Sequence, residues 1–95
     1  MIKVVARNYL KDGAKDEALN LMDELIGETR KESGCVSYEL YQSTSDPDEV
    51  TFIETWESAE ALDAHMKTEH FTRIVPQLDR YKAKDGEITV YKLIK

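Results

Sequence analysis

Polar and apolar residues alternate over residues 2–10. Ile2, Val4, Ala6, Asn8 and Leu10 share one side, Lys3, Val5, Arg7 and Tyr9 the other, which is the period of a strand. Lys11-Asp12-Gly13 interrupts it with turn chemistry. From residue 14 to 33 the period becomes helical: Ala18, Leu19, Met22, Leu25, Ile26 and Thr29 form one stripe, and charged residues cover the rest. Gly27 lies inside this helix, where glycine costs about 1 kcal/mol relative to alanine, so a close packing contact or a weak point is expected. Gly34 is the expected stop, in the left-handed conformation. Residues 35–43 alternate again. Asp46-Pro47-Asp48 marks a turn, and residues 50–56 make a third strand joined to the second as a hairpin. Ser58 is the expected cap of a short helix through Ala61, Leu62 and Ala64. Thr68 starts another that carries Phe71, Ile74, Val75 and Leu78, with Pro76 predicting a kink or break near Val75. Asp85-Gly86 reads as a turn and residues 87–93 as the last strand.

The order β-α-β-β-α-β predicts an α+β, ferredoxin-like fold. It has one four-stranded antiparallel sheet with its helices on one face. Ile2, Val4, Ala6, Val36, Tyr38, Leu40, Ile53, Ile88 and Val90 are assigned to the helix-covered face. The other face then collects Val5, Arg7, Tyr9, Glu39, Tyr41, Phe52, Glu54, Trp56, Tyr91 and Leu93. That set is too apolar and aromatic for a solvated surface, so two sheets are expected to pack together in a homodimer. Trp56 is assigned to that interface, where Arg7 is expected to neutralise Glu54 or Glu39.

Ninety-five residues make a single domain, 1–95, without repeat or linker. The formal net charge of -6 argues against nucleic acid or an anionic membrane as a partner. A lone cysteine, Cys35, excludes an internal disulfide and suits a reducing compartment. With no signal peptide or spanning segment evident, the cytoplasm is the expected location. The chain's two histidines, His65 and His70, both fall in the short helical pieces after the third strand. Glu69 stands four residues after His65. The two imidazoles would point apart on a continuous helix, and no third ligand is evident, so no metal site is expected.

Glu54-Thr55-Trp56-Glu57-Ser58, then Ala61-Leu62-Asp63-Ala64-His65, then Lys67-Thr68-Glu69-His70-Phe71 resemble the antibiotic biosynthesis monooxygenase domain family. Its pattern is a glutamate and tryptophan ending a strand, a helix ending in histidine, and a second histidine followed by an aromatic. Glu32-Ser33-Gly34-Cys35, with Tyr38-Glu39 after it, also looks like the family's second strand. The resemblance implies a dimeric α+β barrel with a pocket between sheet and helices in each subunit. Members include cofactor-independent monooxygenases of quinols and phenols, haem-degrading enzymes, and an isomerase of a small phosphorylated sugar. Asn8 matches the haem branch, but Val75 stands where its iron-binding histidine belongs and His65 where it has a tryptophan.

That resemblance implies, first, a cofactor-free monooxygenase for a quinol-like or phenolic molecule. Such a reaction needs a base, donors for an oxyanion and a dry pocket. His65 and His70 are the expected catalytic residues. His70 is placed in the first turn of a helix, beside the positive end of its dipole. Asn8 and Tyr38, polar tips on an apolar stripe, are the expected orienting groups, and Phe71 and Ile74 the apolar walls. Arg73, with Lys67, is the candidate anchor if the substrate is instead a phosphorylated sugar and the reaction an isomerisation. A dimeric binding domain without turnover is the third reading.

Overall fold

The computed structural model describes residues 1–95 and has the expected order of elements. Strand β1 spans Ile2–Leu10, helix α1 Lys15–Thr29, β2 Cys35–Gln42 and β3 Glu49–Trp56. Helix α2 spans Ala59–His65, α3 Glu69–Leu78, and β4 Lys82–Lys92 after one 3-10 turn, Asp79–Tyr81. The strands are antiparallel in the order β2-β3-β1-β4, which is the ferredoxin-like arrangement. The buried core lies between the helices and this sheet: Ala18, Met22 and Leu25 of α1 and Ile74 and Leu78 of α3 meet Val4, Tyr38, Phe52 and Trp56.

The phase of β3 is opposite to the expected one. Val50, Phe52, Glu54 and Trp56 are buried toward the helices, while Ile53 turns to the uncovered side. Register shows why: Phe52 lies across from Ala6 and Leu40, and Trp56 from Ile2 and Cys35, all on the helix-covered face. Putting Ile53 inside would expose a phenylalanine and a tryptophan to shelter one residue, and burial of the larger aromatic area wins. Trp56 is therefore a fully buried core residue, not an interface residue. Arg7, opposite Thr51, is on the other face from Glu54, so that expected ion pair does not form.

Val36 is also displaced. A register shift between Cys35 and Ser37 marks a bulge that turns it outward, while Tyr38 stays in the core. Ile88 and Val90 have the expected face, across from Ala6 and Val4, but remain exposed because the helices do not reach the edge strand.

Asp85-Gly86 is not a turn. It is a bulge inside a longer β4, opposite Asn8, where a Cβ on Gly86 would stand 2.4 Å from the Arg7 carbonyl oxygen. Helix α1 ends at Thr29, short of the expected residue 33, and leaves through tight turns in which Lys31 N–H bonds Glu28 O and Glu32 N–H bonds Thr29 O. Gly34 closes them with φ +87, as expected, and a Cβ there would lie 2.6 Å from that of Ala61. Gly27 touches nothing, so it is the weak point rather than the contact. Helix α3 passes through Pro76 and stops two residues later at Leu78 instead of breaking near Val75.

Candidate active site

The break between α2 and α3 builds the site. Ser58 caps α2, accepting from Ala61 N–H at 3.1 Å. At the other end, Thr68 donates both its N–H (3.2 Å) and its hydroxyl (2.7 Å) to the His65 carbonyl. The same hydroxyl accepts from Phe71 N–H at 3.3 Å and begins α3. One threonine thus ends one helix and opens the next. The interruption lets His65, last in α2, and His70, second in α3, turn toward each other, with ring centroids 6.3 Å apart.

Both rings meet Glu32, which the turns after α1 carry over the corner. Its Oε2 lies 2.8 Å from His65 Nδ1 and 2.6 Å from His70 Nε2. Glu32 and His70 are mostly buried and His65 is fully so. Two imidazole nitrogens and a carboxylate oxygen are donors of the kind that suit zinc or non-haem iron, so Glu32, which the sequence reading did not place here, is a candidate third group. As they stand, the three groups satisfy one another: each imidazole directs an N–H at the same oxygen. A metal there would replace both hydrogen bonds.

Behind His65, between sheet and helices, lies a cavity of about 120 Å³ whose lining is mostly hydrophobic. Asn8, Tyr38, His65 and Phe71 of the expected set border it. His70, Ile74 and Arg73 do not. His70 stands on the far side of His65, and Ile74 is sealed in the core. Arg73 is on the outer surface, held at 2.6 Å by both Glu24 and Glu69. Glu54, which sequence reasoning had placed at an interface, borders the cavity instead. Lys82 forms part of the rim with Met66 and Ile88, and its ammonium lies 3.4 Å from Asp79.

His65 is clamped by aromatics: Trp56 at 4.6 Å between centroids, Phe71 at 5.0 Å and Tyr38 at 5.5 Å. With Nδ1 turned to Glu32, Nε2 is the nitrogen left for an occupant of the cavity. Burial lowers the His65 pKa, and the adjacent Glu32 carboxylate opposes that effect, so the ring is neutral near pH 7. Asn8 spends its amide N–H groups on the carbonyls of Ala6 (3.2 Å) and Val50 (3.4 Å), which leaves its Oδ1 as an acceptor. Burial drives the Tyr38 phenol far up, and the Glu54 carboxyl adds to this, so Tyr38 is a donor and not a base.

Glu54 accepts from the Trp56 indole N–H at 2.9 Å and has no cationic partner. Burial raises its carboxyl to about 7, against the pull of the indole hydrogen bond and helped by the Glu32 charge. The sequence held signals for both missed carboxylates. Glu54 sits in the apolar stripe Val50-Phe52-Trp56, where an acid is out of place. Glu32 lies in a run already matched to the family's second strand, but it reaches the histidines through turns closed by Gly34, which packs closely against Ala61. Pattern reading does not show such a contact.

The antibiotic biosynthesis monooxygenase family model matches residues 1–77. A solved structure described as an antibiotic biosynthesis monooxygenase is 39% identical, with a TM-score of 0.95 and 100% of both chains covered. A conserved protein from Methanosarcina mazei is 40% identical, with a TM-score of 0.94, covering 96% of this chain and 90% of that one. An uncharacterized protein of Synechocystis is 35% identical over 91 residues, which are 95% of this chain but 62% of that protein's length. No helix is long and apolar enough to cross a membrane.

Proposed function

From the chain's membership of the antibiotic biosynthesis monooxygenase family, we propose that it oxidises a quinol-like or phenolic molecule with O2 and without a cofactor, His65 acting as the base. The observation that carries this reading is the placement of one ring: Glu32 holds Nδ1 of His65, which leaves Nε2 free, and the ring borders a small, mostly hydrophobic cavity. His65 takes the substrate hydroxyl proton on Nε2. The electron-rich anion passes an electron to O2, and recombination places one oxygen atom on the ring while the other leaves as water. The substrate supplies all four electrons, so no external reductant is needed.

Burial and aromatic packing keep the imidazole neutral and immobile. Glu32 fixes its tautomer, as a carboxylate does for a general-base histidine. His70 contributes from behind, as the second donor to Glu32. Asn8 and Tyr38 orient the ring and Phe71 walls it. A cavity of about 120 Å³ is the size of one aromatic ring, which favours a single-ring quinol over a fused polycyclic phenol.

An isomerase that shifts protons on a small sugar is the second reading. Lys82 at the cavity rim is the one observation in its favour, since the expected anchor Arg73 lies outside and is doubly paired. The mostly hydrophobic lining supports the oxygenase.

A homodimer belongs to the same proposal. Tyr41, Tyr91 and Leu93 are exposed on the uncovered sheet face beside half-buried Val5 and Ile53, and a second copy would cover them. Sedimentation as a monomer at micromolar concentration would remove it.

The test of function is oxygen uptake with a panel of hydroquinones. Uptake by the wild type that His65→Ala abolishes is expected. No uptake by the wild type, or equal uptake by the variant, contradicts the proposal.

A further inference from the structure

Glu54 is the one carboxyl bordering the cavity, and the mechanism above leaves it without a task. Its side chain is buried, at 5% exposure, in the middle of the sheet. Val4 lies across from it on β1 and Tyr38 on β2. An isolated buried carboxylate is costly unless a cation or several donors meet it, and the single donor that reaches Glu54 is the Trp56 indole N–H, on Oε1. The surrounding elements do not supply a counter-charge. β2 presents the Tyr38 phenol, α2 the His65 ring, and the turn after α1 the Glu32 carboxylate, which repels a second negative charge. α1 and α3 present Leu25, Phe71 and Val75, and β1 the Asn8 amide. The one cation at the cavity, Lys82 on β4, is engaged with Asp79 at its rim.

A carboxyl so placed resolves its burial by keeping its proton. We propose that Glu54 serves as a neutral carboxylic acid whose O–H donates a hydrogen bond to the substrate oxygen that becomes negative as His65 removes its proton. Oε1 accepts from the indole, which holds the carboxyl plane, and the remaining oxygen carries the proton toward the cavity. No bond to carbon forms or breaks at Glu54. The substrate proton goes to His65 Nε2, and the Glu54 proton is shared with the new oxyanion and retained. The elevation of the carboxyl to about 7 has the sense this role requires, because the acid is then largely protonated on the acid side of neutrality. The ligand class follows: a ring bearing a hydroxyl or carbonyl oxygen that can reach the sheet floor while its edge lies against Phe71. Molecules that are already anionic at several positions are excluded by Glu54 once it ionises.

This role rests on the quinol-oxidising reading for its catalytic meaning, but its chemistry can be read without turnover. The decisive experiment is an infrared difference titration of the wild type against Glu54→Gln, with circular dichroism to confirm that the variant folds. The wild type is expected to show the carbonyl stretch of a protonated carboxylic acid at pH 6, absent in Glu54→Gln and fading as pH rises through about 7. Saturating phenol is expected to shift that band to lower frequency as the O–H bonds the ligand. Absence of the band at pH 6, or a band that phenol leaves unmoved, overturns the proposal.

Oxygen uptake supplies a second arm. Glu54→Leu is expected to lower kcat about 10²-fold with KM nearly unchanged. Glu54→Gln, whose amide donates at every pH, is expected to retain most of kcat and to lose the alkaline fall of the wild type. Equal kcat in Glu54→Leu and wild type also overturns it. If the band shifts with phenol while the wild type consumes no O2, Glu54 stands as the ligand donor and the oxygenase reading is what fails.

Discussion

Two carboxylates, Glu32 against His65 and Glu54 at the cavity that His65 borders, solve burial in different ways. Glu32 sits in the corner made by the helix break and receives two imidazole N–H groups on one oxygen. The protein engages that oxygen twice, so its work in the proposed reaction is positional. Glu54 sits on the sheet floor with one indole N–H and an open side toward the cavity. Its polar atoms are not all satisfied, so what it holds in reserve is available to a ligand. In the proposed reaction the partnered acid aims the base, and the unpartnered acid meets the substrate.

The largest way to break this contrast is to remove the ring that Glu32 holds. His65→Ala is expected to lower oxygen uptake by about 10²- to 10⁴-fold, the usual worth of a positioned base. A loss below tenfold would detach the cavity from the chemistry.

Next in size is the pH dependence of stability. Glu54 ionises near 4.5 in an unfolded chain and is pushed up to about 7 in the fold, so the folded state keeps the proton over that interval. The resulting stability is complete below the lower value and lost as pH rises through the upper one, for a total of about 3 kcal/mol. Glu54→Gln does not titrate and is expected to escape that fall. Urea unfolding of both proteins at pH 5 and pH 8 measures the difference, and parallel curves would mean that Glu54 is ionised in the fold.

Weaker still is His70→Ala. Because His70 borders Glu32 and not the cavity, it is expected to cost uptake about tenfold, well short of the effect at His65, with its mark on kcat rather than KM. Equal losses at the two histidines would place His70 in contact with substrate.

The smallest effect sharpens the framework alone. Gly27→Ala is expected to stabilise the protein by up to about 1 kcal/mol in thermal unfolding, because the glycine is helical, exposed and free of contacts.

Local rules were enough to read the architecture. Alternation located the strands, the caps Ser58 and Thr68 located the two short helices, and Gly34 took the left-handed stop. What local rules did not resolve was which way a strand faces when an acid shares its apolar stripe. The expected phase put Ile53 inward and Phe52, Glu54 and Trp56 at an interface, and the whole of β3 is turned over in the structure. Other departures have a comparable origin in long-range contact. Asp85-Gly86 has the chemistry of a turn, yet pairing with β1 draws Gly86 against the Arg7 carbonyl and makes a bulge. Glu32 has the composition of a helix end, yet the turns to Gly34 carry it to the histidines.

The claim on which the account turns is the tautomer of one ring. Nitrogen-15 resolved NMR of the imidazoles at pH 7 reads it directly. His65 is expected as the neutral Nδ1–H form, with that proton directed at Glu32 and Nε2 bare, and Glu32→Gln is expected to disturb this assignment while Glu54→Gln leaves it intact. An imidazolium at His65, or a proton resident on Nε2 in the wild type, would contradict the account.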